Sequence, residues 1–125
     1  MNIYDYFSST ERAIRSNVKI GAVEEPLVCL ASDDYNGLIR CRVYFWDGSF
    51  LDIYGVVSTG PGYPLRIHYA YAYLPEGNPV FRYDNAPHHP EIETHPHHKH
   101  VGTAVVASPE PTLSAILAKV ETHLD

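Results

Sequence analysis

With 125 residues and a mass of 14.0 kDa, the chain has room for one modest domain over residues 1–125, since domains run to roughly 100–200 residues. Its 45% hydrophobic, 12% aromatic and 19% charged residues form a globular balance and exclude disorder as the main theme. Fifteen acidic against nine basic residues give a formal charge of −6, which disfavours a nonspecific grip on nucleic acid or an anionic membrane, so any nucleic-acid site has to be local.

Asn2 can cap a short N-terminal helix in which Ile3, Tyr6, Phe7 and Ile14 recur at near-helical spacing, although Ser8-Ser9-Thr10 weakens it. Val18-Lys19-Ile20 and Leu27-Val28-Cys29-Leu30 are apolar pieces broken by Gly21 and Glu24-Glu25-Pro26, a pattern for edge strands or one bent strand. Asp33-Asp34-Tyr35-Asn36-Gly37 reads as a turn. Leu38 to Trp46 and Phe50 to Val57 are rich in β-branched and aromatic residues, and Asp47-Gly48 between them gives a hairpin signature with Trp46 and Phe50 as cross-strand partners.

Thr59-Gly60-Pro61-Gly62 ends that second strand. Leu65 to Leu74 begins a third, with Leu65, Ile67, Tyr69, Tyr71 and Tyr73 on one face and Arg66, His68, Ala70 and Ala72 on the other. Pro75 to Pro79 turns the chain into a fourth strand, Val80 to Tyr83, antiparallel to the third. From Pro87 to His100 three prolines argue against a continuous helix or central strand, leaving an ordered loop or ligand-bearing arm. Val101 to Ala107 can add a last strand. Ser108-Pro109 then offers an N-cap and N1 proline for a helix through Leu124, with Leu113, Ile116, Leu117, Val120 and Leu124 on one stripe. The sum is an α+β fold: a small domain with a mostly antiparallel sheet of four to six strands and a helix at each end.

Cys29 and Cys41 form no C-x-x-C pair and sit among apolar residues, as buried thiols do in a reducing compartment. With no basic-then-apolar leader and no run of about 18 apolar residues, the reading is a soluble cytoplasmic protein.

Chemistry concentrates between Phe81 and His100, where six of the eight histidines lie. Histidine suits acid–base work near neutral pH. His88, His89, His97, His98 and His100 form the candidate pool of acids and bases, and Asp84 can orient one of them through its second N–H. Arg82 and Lys99 can neutralise phosphate, and Tyr83 can stack on a base or bond a phosphate. These groups suffice to cleave RNA without metal or other cofactor. Six imidazoles can also hold zinc or nickel, but His97-His98-x-His100 lacks the helical ligand spacings, so metal ranks below acid–base use. The bland alternatives are a surface arm with rings packed on prolines and tyrosines, an Asx turn at Asp84 and Asn85, and a salt bridge from Arg82 to Asp84 or Glu91.

The run Arg82-Tyr83-Asp84-Asn85-Ala86-Pro87-His88-His89-Pro90-Glu91, followed by Pro96-His97-His98-Lys99-His100, resembles the TumE-type toxins of prokaryotic toxin–antitoxin modules. The likeness extends, more weakly, to Asp34-Tyr35, Arg40 to Ser49, Tyr69 to Tyr73 and Pro111-Thr112-Leu113. It implies a small toxin neutralised by a cognate antitoxin that carries a helix-turn-helix DNA-binding part. Joined to the residue chemistry, it gives a metal-independent endoribonuclease with RNA as substrate, no membrane association, and a homo-oligomer among the candidate assemblies. Within the cluster His95, which precedes Pro96 where an apolar or aromatic residue is expected, carries the least functional weight. A metal-binding protein without catalysis and a non-catalytic interaction module are the competing readings.

Overall fold

The computed structural model describes residues 1–17, 19–23, 27–60, 64–75 and 79–124. Val18, the break at Glu24-Glu25-Pro26, and the turn residues Pro61, Gly62, Glu76, Gly77 and Asn78 lie outside them. The first helix, α1 (Ile3–Arg15), starts at Asn2, whose side chain accepts the Asp5 N–H while the Asp5 carboxylate accepts the Asn2 N–H, a reciprocal capping box. Ile3, Phe7 and Ile14 face inward, and Ser8 and Ser9 are exposed, which is why the hydroxyl run is tolerated.

Eight strands follow among the described residues, against the four to six expected: β1 (Ile20–Val23), β2 (Val28–Ala31), β3 (Asn36–Phe45), β4 (Phe50–Ser58), β5 (Leu65–Leu74), β6 (Phe81–Asp84), β7 (His98–Val101) and β8 (Ala104–Ala107). All pair antiparallel in the order β1-β3-β4-β5-β6-β7-β8, and β2 shares with β1 the outer edge of β3. Two expectations account for the extra strands. The stretch from Val101 to Ala107 folds at Gly102 with φ 59°, a left-handed backbone that suits glycine, so that Val101 ends β7 and only Ala104 to Ala107 form the last strand. His98 to His100, expected in a loop, pair with β6 instead, because Pro96 is the last proline of the arm and every N–H after it is available to a ladder.

The β3–β4 hairpin turns at Asp47-Gly48, with Gly48 at φ 87° and the Asp47 carboxylate accepting the Ser49 N–H and hydroxyl. Four loop residues separate the strands, so Phe50 pairs with Tyr44 and Trp46 is left exposed rather than opposite Phe50. On β5 the alternation holds from Tyr69 to Tyr73. Upstream, a bulge sets Val56 opposite His68 and Val57 opposite Arg66. It leaves Leu65 and Ile67 exposed and half-buries Arg66, which bonds the Tyr71 hydroxyl, the Pro111 carbonyl and Glu110.

The second helix starts later than the sequence suggests. Pro111 disfavours helical backbone at Glu110, so α2 runs over Leu113–Glu121 with Thr112 as N-cap, four residues beyond the Ser108 cap expected from sequence. Ile116, Leu117 and Val120 join Ile14, Val43, Leu51, Tyr73 and Phe81 in the main core. Both helices thus contribute to the core on one face of the sheet. At the α1 end Gly37 comes so close that an added Cβ would stand 2.7 Å from the Leu30 carbonyl and 2.9 Å from the Phe7 ring.

Candidate functional site

Strand alternation puts every second residue on the face turned away from the core. Register then lines those residues up in two rows across the sheet. Arg40, Tyr54, Ala70, Asp84 and His98 stand side by side in one, and Arg42, Asp52, Ala72, Arg82 and His100 in the next. Ala70 and Ala72 have too little side chain to fill their positions. The result is an open groove of about 710 Å³ with an alanine floor, three arginines (Arg40, Arg42, Arg82) and Tyr54 along it. Arg42 forms a two-pronged pair with Asp52 at 2.8 and 3.1 Å and lies over the Phe50 ring. Arg40 lies over Tyr54 and has no carboxylate partner among the described residues.

Beyond Arg82 the groove meets a polar cluster centred on Asp84. This carboxylate is almost wholly buried, yet four groups surround it. Arg82 Nε donates to Oδ2 at 3.0 Å, and the Ala86 N–H donates to Oδ1 at 3.0 Å, closing the expected Asx turn. His98 Nε2 stands 3.0 Å from Oδ1 and His100 Nε2 3.3 Å from Oδ2. Burial pushes the Asp84 carboxyl up, but the Ala86 N–H, the Arg82 guanidinium and His98 together outweigh it and hold it below the ordinary value. Burial likewise lowers the His100 imidazole; Asp84 pulls it back up, while His98, His89 and Arg82 push it further down.

His98 is the buried member, with a side chain 2% exposed, and its Nδ1 meets the Pro96 carbonyl at 2.9 Å. Since a carbonyl only accepts, that nitrogen carries a proton, a tautomer assigned from its partner. His89 arrives from the arm between β6 and β7. Its ring meets those of His98 and His100 at centroid distances of 5.0 and 5.8 Å, and its Nδ1 lies 3.3 Å from Glu91 Oε1. The arm is pinned by Thr94, whose hydroxyl donates to the His97 carbonyl at 2.5 Å and accepts the Ser108 N–H at 2.9 Å. Asn85 makes no turn of its own; its amide bonds the backbone of Tyr69 and Ile67, continuing the β5 ladder past the end of β6.

The structure therefore gathers Asp84, His89, His98, His100 and Arg82, and separates the other candidates from them. Tyr83 and Lys99 alternate onto the opposite face, where the ammonium lies over the Tyr83 ring. His97 stacks on Tyr69 and shares a 3.0 Å hydrogen bond with its hydroxyl. His88 is exposed outside the cluster, and the His95 ring meets the His89 carbonyl. Arg40, Arg42, Tyr54 and the alanine floor were not among the residues singled out from sequence. The i, i+2 spacing of Arg40 and Arg42 in a strand was the available signal.

A family model matches residues 11–124, nearly the whole chain, and places the protein among the toxin components of toxin–antitoxin modules. That family is described as Toxin TumE, and the chain belongs to it, as the run from Arg82 to His100 suggests. Membership implies an antitoxin as partner. Neither the curated proteins nor the solved structures contain a match. No helix among the described residues is long and apolar enough to cross a membrane.

Proposed function

We propose that this toxin, acting as a single domain over residues 1–125, cleaves RNA in the groove and its adjoining cluster. One observation carries the reading. Two half-buried imidazoles, His100 and His89, are each held by a carboxylate, Asp84 and Glu91 respectively, beside a groove lined with arginine. An imidazole whose inner nitrogen is committed to a carboxylate has a defined outer nitrogen for proton transfer.

In this scheme His100 donates its Nε2 proton to Asp84 and presents Nδ1 as the base. It takes the 2′-hydroxyl proton as O2′ attacks phosphorus. His89, fixed through Nδ1 by Glu91, gives a proton from Nε2 to the departing O5′. The P–O5′ bond breaks and the products are a 2′,3′-cyclic phosphate and a free 5′-hydroxyl. Arg82, with Arg40 and Arg42 along the groove, neutralises the phosphodiester and its neighbours. His98 does not touch substrate; it is a positioning residue beneath the pair. Lys99 and Tyr83, on the far face, and His88 and His97, outside the cluster, have no part in this step. The local arginines also supply what a chain of net charge −6 lacks overall.

The partner on this reading is an antitoxin with a helix-turn-helix DNA-binding part, and the site of action is the cytoplasm. The test is expression without antitoxin, together with incubation of purified protein with single-stranded RNA. Growth arrest and fragments ending in 2′,3′-cyclic phosphate are expected. His100→Ala and His89→Ala should each lower the cleavage rate by about 10²–10⁴-fold, the usual contribution of one general acid or base. Full growth arrest by both variants without RNA fragments would replace the reading with a toxin that acts by binding a partner.

A further inference from the structure

The proton count of the Asp84 cluster does not close. His98 commits Nδ1 to the Pro96 carbonyl, so only Nε2 faces inward. That atom lies 3.0 Å from Asp84 Oδ1 and 3.1 Å from His100 Nε2, while His100 Nε2 lies 3.3 Å from Asp84 Oδ2. Each nitrogen holds at most one hydrogen. With protons on both, the two nitrogens meet donor to donor. With a proton on one, the other turns a lone pair toward the carboxylate. With none, both do. Arg82 Nε–H and the Ala86 N–H already donate to the two Asp84 oxygens, which act as acceptors, so no distribution of protons on the two imidazoles satisfies all three contacts.

A cation at the centre satisfies all of them at once. Donors bound tetrahedrally to zinc at about 2.0–2.1 Å stand about 3.3 Å apart, close to the three separations observed. His89 supplies a third imidazole: the ligand atoms of His89, His98 and His100 all lie within 4.8 Å of one another. Two of the three outer nitrogens are already engaged as those of metal-bound histidines are, Nδ1 of His98 on a backbone carbonyl and Nδ1 of His89 on Glu91. Three imidazoles and one carboxylate suit zinc, nickel or cobalt rather than magnesium or calcium.

We propose that His89, His98 and His100, with Asp84, bind one divalent transition-metal ion, and that zinc held there silences the toxin. The second half rests on the acid–base reading of this cluster. A metal on His89 Nε2 takes the nitrogen that would give up a proton. A metal on His100 Nε2 leaves the proton of the neutral ring on Nδ1, which then cannot accept another. Metal and proton transfer use the same lone pairs.

The experiment is a titration of the untagged, chelator-treated full chain with Zn²⁺, followed by calorimetry and melting temperature, and with Co²⁺, followed by its visible absorption. One ion per chain, a raised melting temperature and a cobalt band carrying nitrogen-ligand character are expected. His89→Gln and His100→Gln should weaken binding by about tenfold or more while leaving the metal-free melting temperature near that of wild type. His123→Gln, an imidazole on the helix side, should bind as wild type does. Failure to bind a stoichiometric ion, or binding unmoved by both cluster variants, overturns the site. RNA cleavage is then measured with and without zinc. Suppression that a chelator reverses supports the silencing, and cleavage unchanged or raised by bound zinc overturns it. Because binding is read without RNA, a chain that takes up zinc but never cleaves refutes the ribonuclease reading and leaves the metal site standing.

Discussion

The two faces of this sheet are made by the same strands and differ only in which residues alternate onto each. On one, Val43, Leu51, Tyr73 and Phe81 are sealed beneath both helices. On the other, Arg42, Asp52, Ala72 and Arg82 occupy the neighbouring row and no helix covers them. The first face is dominated by shape: no buried side-chain polar atom among the described residues lacks a partner, and the Tyr73 hydroxyl is spent on Ser49. The second has charge, small side chains and empty volume. Apolar packing is thus confined to one side, and the other, apart from the buried Asp84 and His98, is free to carry groups that contribute little to stability.

The sharpest way to test that division is a pair of opposite volume changes. Leu51→Ala, inside the sealed face, should cost about 2–5 kcal/mol, as core truncations do, read by chemical denaturation. Ala72→Leu, on the open face, should leave the denaturation midpoint nearly unchanged and fill the groove, abolishing RNA cleavage. Loss of stability in the second variant would show that the open face is packed after all. A smaller effect is expected at Gly37, where an added methyl group has to push against the Leu30 carbonyl and the Phe7 ring; Gly37→Ala should cost about 1–3 kcal/mol, typical of overpacking.

Weaker still is the expected stability effect of the arginine row. Arg42→Ala removes a half-exposed ion pair with Asp52 and should cost at most about 1 kcal/mol. Binding to single-stranded RNA should nevertheless lose about 0.7 from its log–log salt slope for each groove arginine replaced. Last, burial pushes the Cys41 thiol up to about 12 and raises Cys29 as well. Alkylation of the folded chain at pH 8 should leave Cys41 unlabelled, since the reactive thiolate is a vanishing fraction there, whereas unfolded protein should react at both.

Much of the sealed face is legible in the sequence, because packing writes itself as period: the Ile3 to Ile14 helix with its Asn2 cap, the hairpin about Asp47-Gly48 and the Leu113 to Leu124 stripe all follow local rules. The bulge opposite Val56 is not legible, since one extra residue reverses the facing of Arg66 and Ile67 without any change in composition. The histidine cluster was half legible. Its residue types were plain, but convergence depends on the register of β7 against β6 across a 13-residue connection, which no local pattern specifies. The prolines argue for a loop, and they hide the alternation of Arg82 with Asp84 and of His98 with His100 that marks a strand pair. The groove was missed for the converse reason: two alanines register as absence until neighbouring strands show what they leave open.

Thr94 acts as a clasp. A single hydroxyl closes the turn that carries His95 and Pro96 toward β7 and, in the same stroke, fastens that turn to Ser108 at the head of the connector into α2. The roof over the imidazoles and the lead into the last helix accordingly share one fastening. Thr94→Val would undo both attachments while preserving the shape of the side chain.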